Sequence, residues 1–260
     1  MTPTQFGRDT ITPWTQQVAM RWRPEVRFIE ARVEVLKLLE QKGRLRSFKL
    51  GETEITVRLS QYSELDVSVD RLVLRVLSPL ESMDVPLSAV KDALETIRPT
   101  AIRHIDAAFT HVVEVIGDYD QLRQLAGEGL FPWWPAPITD WALLVDGTSE
   151  DGRTTSKCEF GVINREEAVE RVTRSIGRTS GPQLSSARPY IQGLPVPEVA
   201  LFADSNWERD PRPPVTKEAA WDYFATFVQG VTAEANALVL RLHAAVTSSV
   251  TTATKLSASR

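Results

Sequence analysis

The chain has 260 residues, 42% of them apolar and 25% charged, with a formal net charge of −4. Such a length folds as one large or two modest domains without help from a metal or disulfide, and the single cysteine, Cys158, excludes an internal disulfide framework. The negative balance disfavours nucleic acid as a partner, no run approaches the ~20 apolar residues of a membrane helix, and the opening MTPTQFGRDTITPW lacks the basic and apolar regions of a signal peptide. A cytoplasmic protein in a reducing compartment is expected.

Residues 1–24 are polar and mixed and read as an irregular arm. PEVRFIEARVEVLKLLEQKG is ambiguous. Val26, Ile29, Val33 and Leu36 fit a helical stripe, with Pro24 at its start and Gly43 after its end. Ile29, Ala31, Val33 and Val35 alternate equally well with charged residues as a strand, and a strand passing into a short helical turn is the preferred reading. RSFKLGETEITVRLSQYSELDVSVDRLVLRVL follows as an antiparallel meander, with Val67, Val69, Leu72, Leu74 and Val76 in period-two alternation. Leu87, Val90, Leu94 and Ile97 then mark a helix opened by Pro86 and stopped by Pro99. AIRHIDAAFTHVVEV reads as a strand, and Asp118 starts a short helix ending near Gly127.

GLFPWWPAPITDW, residues 129–141, gathers three of the seven tryptophans into a stretch with no Lys or Arg. Stacking platforms for single-stranded nucleic acid interleave aromatic with basic residues. The stretch therefore reads as a stiff connector, with Trp133 and Trp134 buried where two halves meet. Exposure of both as one patch would instead mark a partner-binding surface.

Beyond it, WALLVDG and TTSKCEFGVI form a strand pair, and NREEAVERVTRSIG is a helix with Asn164 and Glu167 as a capping box and Gly177 as its stop. A long loop leads to the strand EVALFADSNW. Thr216 then caps a helix over residues 217–246, about 45 Å long at 1.5 Å per residue, followed by a frayed tail. Its residues Trp221, Phe224, Val228, Val231, Ala235, Leu238 and Leu242 are spaced alternately three and four apart, as in a coiled-coil seam. The expected fold is α+β: two similar halves with antiparallel sheets and segregated helices, related by an internal duplication. The halves are 1–130 and 139–260, joined by the connector at 131–138.

EVALFADSNW, the Pro-rich loop and EAAWDYFATFVQGVTAEANALVLRL resemble the C-terminal part of a sporadically distributed bacterial family of similar length and no established activity. Phe227 and Thr232 stand at its aromatic and threonine positions, while ELDVSVDRLVLRV and RHIDAAFTHVVEV are distantly similar to its first half. The resemblance implies an α+β fold and an accessory bacterial role, and supplies no site residues.

Among candidate chemistries, Asp204, Asn206, Glu208 and Asp210 share strand parity, which suits an oxygen-ligated cation such as Ca²⁺ or Mg²⁺. A solvated strand end explains them more simply. Arg174, Arg178 and Arg188 flank a small-residue loop that could close on an anion. His104 and Asp106 share a strand face with His111 on the other, and His243 is placed to meet a helix dipole. Cys158 alternates with Phe160 and Val162 and reads as core. No Gly-x-Ser-x-Gly elbow, Walker loop, dinucleotide fingerprint, CxxC pair or HExxH occurs, so no cofactor is expected. The leading expectation is a non-enzymatic protein-binding or assembly protein. It would contact a protein partner, or a second copy, through the long helix (Trp221, Phe224, Val228, Val231, Leu238, Leu242), the sheet edges, or Trp133 and Trp134. The competing expectation is an enzyme or small-ligand or anion-binding protein with a site between the halves.

Overall fold

The computed structural model describes residues 11–77, 81–131, 133, 142–149, 152–179 and 196–258. Nine strands are β1 (Thr15–Trp22), β2 (Ser47–Leu50), β3 (Glu54–Arg58), β4 (Ser63–Ser68), β5 (Arg71–Leu77), β6 (Ile102–Glu114), β7 (Leu143–Thr148), β8 (Thr154–Asn164) and β9 (Val199–Arg209). They form one sheet in the order β2-β3-β4-β5-β1-β6-β9-β8-β7, and every neighbouring pair is antiparallel. The helices are α1 (Phe28–Gln41), α2 (Asp84–Ile97), α3 (Tyr119–Leu130), α4 (Arg165–Thr179) and α5 (Ala220–Ala258), the last entered through a 3-10 turn at Lys217–Ala219. The fold is α+β with a long C-terminal helix, as expected, but the strands of both halves merge into one sheet.

The arm reading is corrected at residues 15–22, where β1 lies at the heart of the sheet between β5 and β6. Val18, Met20 and Trp22 are buried on one face, and Thr15 and Ala19 on the other. A strand covered on both sides loses the clean alternation of a half-exposed one, and Gln16 and Gln17 hide it further. Gln16 is buried and its amide donates to Thr232 Oγ1 on α5 (3.4 Å).

The reading of 24–43 as a strand passing into a short helical turn is also corrected, because α1 is a helix. Its buried stripe is Phe28, Ala31, Val35, Leu36 and Leu39, whereas Val26, Ile29 and Val33 are exposed. Gly43 follows its end with φ +65°, a left-handed geometry that glycine adopts without strain.

α1, α2, α3 and α5 cover one sheet face, and α4 lies on the other. On β9, Leu201 and Ala203 join the core beneath α3 and α5, while Ala200 and Phe202 join the smaller core beneath α4, with Val112, Ile163, Ala168 and Val172. The capping box of α4 is formed as expected: Asn164 Oδ1 accepts from the Glu167 amide (2.9 Å) and Glu167 Oε2 from the Asn164 amide (3.0 Å). Replacing Asn164 with alanine is expected to cost about 1 kcal/mol of stability, read from the denaturant midpoint. α4 runs past Gly177 to Thr179, so that glycine does not stop it.

Connection order runs strand, helix, three strands, helix in each half: β1-α1-β3-β4-β5-α2, then β6-α3-β7-β8-β9-α5. β2 is added to the first set, and α4 is inserted before β9 in the second. The first strand of each set lies beside the last, and β1 and β6 meet at the centre. This order groups β6 and α3 with the second set, since β6 pairs with β9, whereas the sequence division places them in the first.

Candidate functional site

α5 contributes Phe224, Val228, Val231 and Ala235 to the main core with Val18, Met20, Leu72 and Phe109. Trp221 packs on the edge of that core, and Leu238 and Leu242 pack on a second one with Leu122, Cys158 and Phe160. The heptad-like spacing therefore serves the protein's own sheet, with Phe224, Val228 and Val231 buried and Trp221, Leu238 and Leu242 partly buried. The helix also continues to Ala258 rather than ending near residue 246. Trp133 is 71% exposed instead of buried, edge-on to Phe131. Trp134 and most of the connector lie outside the described residues.

Asp204, Asn206 and Glu208 do project from one face of β9, but they answer different partners. Asp204 lies 3.7 Å from Arg171, the Asn206 amide donates to Glu208 Oε1 (2.7 Å), and Asp210 Oδ1 bonds His104 Nδ1 (2.7 Å). No group of three His, Cys, Asp or Glu residues converges as a metal site among the described residues. Arg174 pairs with Glu170 on its own helix. The side chain of Arg178 and all of Arg188 lie outside the described residues.

His104 sits between two carboxylates, with Asp106 Oδ2 3.4 Å from its other ring nitrogen. Burial pushes the Asp106 carboxyl upward against the pull of His104 and Arg21. His111 is fully buried on the helix-covered face, bonded through Nε2 to Asn236 Oδ1 (2.9 Å), and its burial lowers the imidazole pKa to about 4. A neutral imidazole locked between sheet and helix is structural. His243 bonds the Glu114 carbonyl (3.1 Å) within α5, not at a helix end. Cys158 is buried with its thiol pushed up to about 11, chiefly by burial, which suppresses its reactivity.

Strand register reveals a feature that single-strand reading misses. Arg58, Glu64, Arg75, Gln17, Ala108, Asn206, Lys157 and Asp146 stand opposite one another on successive strands, a polar row crossing the face that carries α4. At its centre Arg75 Nη1 reaches Asp66 Oδ2 and, at 3.5 Å, Glu64 Oε1. Glu64 is fully buried, and burial, reinforced by the Asp66 carboxylate, raises its pKa to about 7 against the opposing Arg75 and Arg58. Gln17 Oε1, Glu64 Oε2, Asp66 Oδ1 and Arg75 Nε are all buried without a hydrogen-bond partner. The residues are dispersed over β1, β4 and β5, so no local spacing exposes the cluster.

The sheet edges form a second feature. All four β2 residues are exposed, including Phe48 (52%) and Leu50 (47%), and β7 exposes Leu144 (60%) and Val145 (51%). Gly51 donates its amide to the Glu54 carbonyl, so by alternation the amides of Lys49 and Ser47 turn inward and those of Phe48 and Leu50 outward.

No family model matches the sequence, and no curated protein matches it significantly.

Proposed function

We propose that this chain is a non-enzymatic protein-binding and assembly protein whose copies join edge to edge through β2 and β7. The observation that carries this reading is the complementarity of the two exposed edges. Exposed edges with apolar side chains are templates for strand pairing. Phe48 and Leu50 on β2 and Val145 on β7 face the helix-covered side, since their partners Val57, Ile55 and Cys158 are core residues. On the opposite face the edges carry charges of opposite sign, Lys49 on β2 and Asp146 on β7. A β2–β7 contact between copies thus sets apolar beside apolar and cation beside anion, which cross-strand pairing favours. Such a head-to-tail contact generates rings or open chains rather than isolated dimers. The matching connection order of the two sets of elements supports, in the same reading, an origin by duplication.

Light scattering over a range of protein concentrations tests the assembly. The expected result is mass growing with concentration for the native chain, a monomer for Leu50→Pro or Lys49→Asp, and recovery of assembly in the Lys49→Asp/Asp146→Lys charge swap. The proline removes an outward amide without touching the β3 ladder. A native chain that stays monomeric at every concentration overturns the reading.

A further inference from the structure

We infer that a second copy of this chain docks on the sheet edge in one orientation: β2 of one copy runs parallel to β7 of its neighbour, with the helix-covered faces on the same side, so that the sheet continues as an open twisted filament. This rests on the reading of β2–β7 edge assembly and fixes its geometry. Amide direction decides the orientation. On β2 the amides of Phe48 and Leu50 turn outward, and their side chains lie on the helix-covered face. On β7 the Ser149 amide donates to the Thr154 carbonyl, so by alternation the amides of Val145 and Gly147 turn inward to β8. Those of Leu144, Asp146 and Thr148 turn outward, and their side chains lie on the face opposite Val145. In an antiparallel ladder, directly opposed residues share both a face and a bonding direction. An antiparallel joint with continuous faces would therefore set outward amides against inward ones and form no ladder. The slanted bonds of a parallel ladder join each residue to the two that flank its opposite number, which lie on the other face. The two edges are matched for that pattern. Chain direction agrees: β2 and β7 stand first and ninth in a fully antiparallel sheet, so they run the same way.

Setting Lys49 beside Asp146 sets Phe48 beside Val145 on the helix-covered face. The Phe48 amide then donates to the Leu144 carbonyl and the Asp146 amide to the Phe48 carbonyl. The Leu50 amide donates to the Asp146 carbonyl and the Thr148 amide to the Leu50 carbonyl. A neighbour turned over could pair antiparallel, with Leu50 opposite Leu144. That joint sets Phe48 beside Asp146 and Lys49 beside Val145, and forfeits the charge match. Each copy adds nine strand spacings, about 43 Å across the strands and about 180–225° of twist. The advance accumulates from copy to copy, so the chain of copies does not close.

Disulfide trapping tests the orientation. A chain carrying Leu144→Cys is mixed under mild oxidation with one carrying Ser47→Cys, and separately with one carrying Leu50→Cys. All three positions are exposed, whereas the native Cys158 is buried. A disulfide forms only where the Cα atoms approach within about 7 Å. The parallel joint puts Ser47 opposite Leu144, with Leu50 about 10 Å further along the strand. The expected result is linked dimers with Ser47→Cys, none with Leu50→Cys, and open filaments of the native chain by electron microscopy. Linked dimers with Leu50→Cys, closed rings, or no linkage in either mixture while mass still grows with concentration would overturn this orientation and leave edge assembly standing. A native chain that is monomeric at every concentration overturns both.

Discussion

Glu64→Gln and His111→Gln are expected to tilt the pH dependence of stability in opposite directions. Glu64 has its pKa raised from 4.5 to about 7 in the folded chain, so between those values the folded state holds a proton that the unfolded state has released. Stability therefore falls as pH rises through that window. His111 has its pKa lowered from 6.5 to about 4, so in that range the unfolded state holds the extra proton and stability rises with pH. Each contributes a slope of about 1.4 kcal/mol per pH unit, and where the windows overlap the slopes cancel. Native stability from these groups is thus flat across mildly acidic pH, an outcome of two buried groups on opposite faces of the sheet. Removing Glu64 unmasks the histidine: stability of Glu64→Gln should climb by roughly 2–3 kcal/mol across the overlap. His111→Gln, which keeps an amide for Asn236, should instead decline by a similar amount. Denaturant titrations at several pH values measure both, and three parallel profiles would refute the assignment of either buried group.

Elements whose apolar residues face one way are readable from sequence. α2 has one buried face, the meander and β6 keep their period-two apolar residues on one main core, and the capping box of α4 is a local hydrogen-bond signature. β1 is not readable this way, because a strand covered on both sides has no polar face to betray its period, and Gln16 is satisfied by a threonine 216 positions along the chain. α1 misled for a different reason: Ile29 and Val33 are exposed, so the most conspicuous apolar spacing belongs to the wrong face. The Arg75 cluster joins Gln17 on β1 to Glu64 and Asp66 on β4, and only the register of β1, β4 and β5 brings them together. The acidic row on β9 shows the converse. Its residues do share a face, yet they answer Arg171, His104 and one another rather than a common ion.

Phe224→Ala is expected to cost about 3–5 kcal/mol, a large share of the roughly 5–15 kcal/mol by which a domain is stable. Phe224 is fully exposed to neither solvent nor a partner surface; it is buried to 0% among Val228, Val231 and the residues of β1 and β6. Val231→Glu should be worse, because it places a carboxylate in the same apolar core. Leu240, by contrast, is 40% exposed on the same helix, and Leu240→Glu should change stability by no more than about 0.5 kcal/mol. The contrast separates two roles for the heptad-like spacing. A seam between copies would let Phe224→Ala weaken association while sparing the fold of each copy, and its cost would vary with protein concentration. An internal seam makes the loss a property of the single chain, the same at every concentration. The second outcome is expected, since every residue of the stripe from Phe224 to Ala235 already has its contacts within the chain, and the edges remain the surfaces with hydrogen bonds to give.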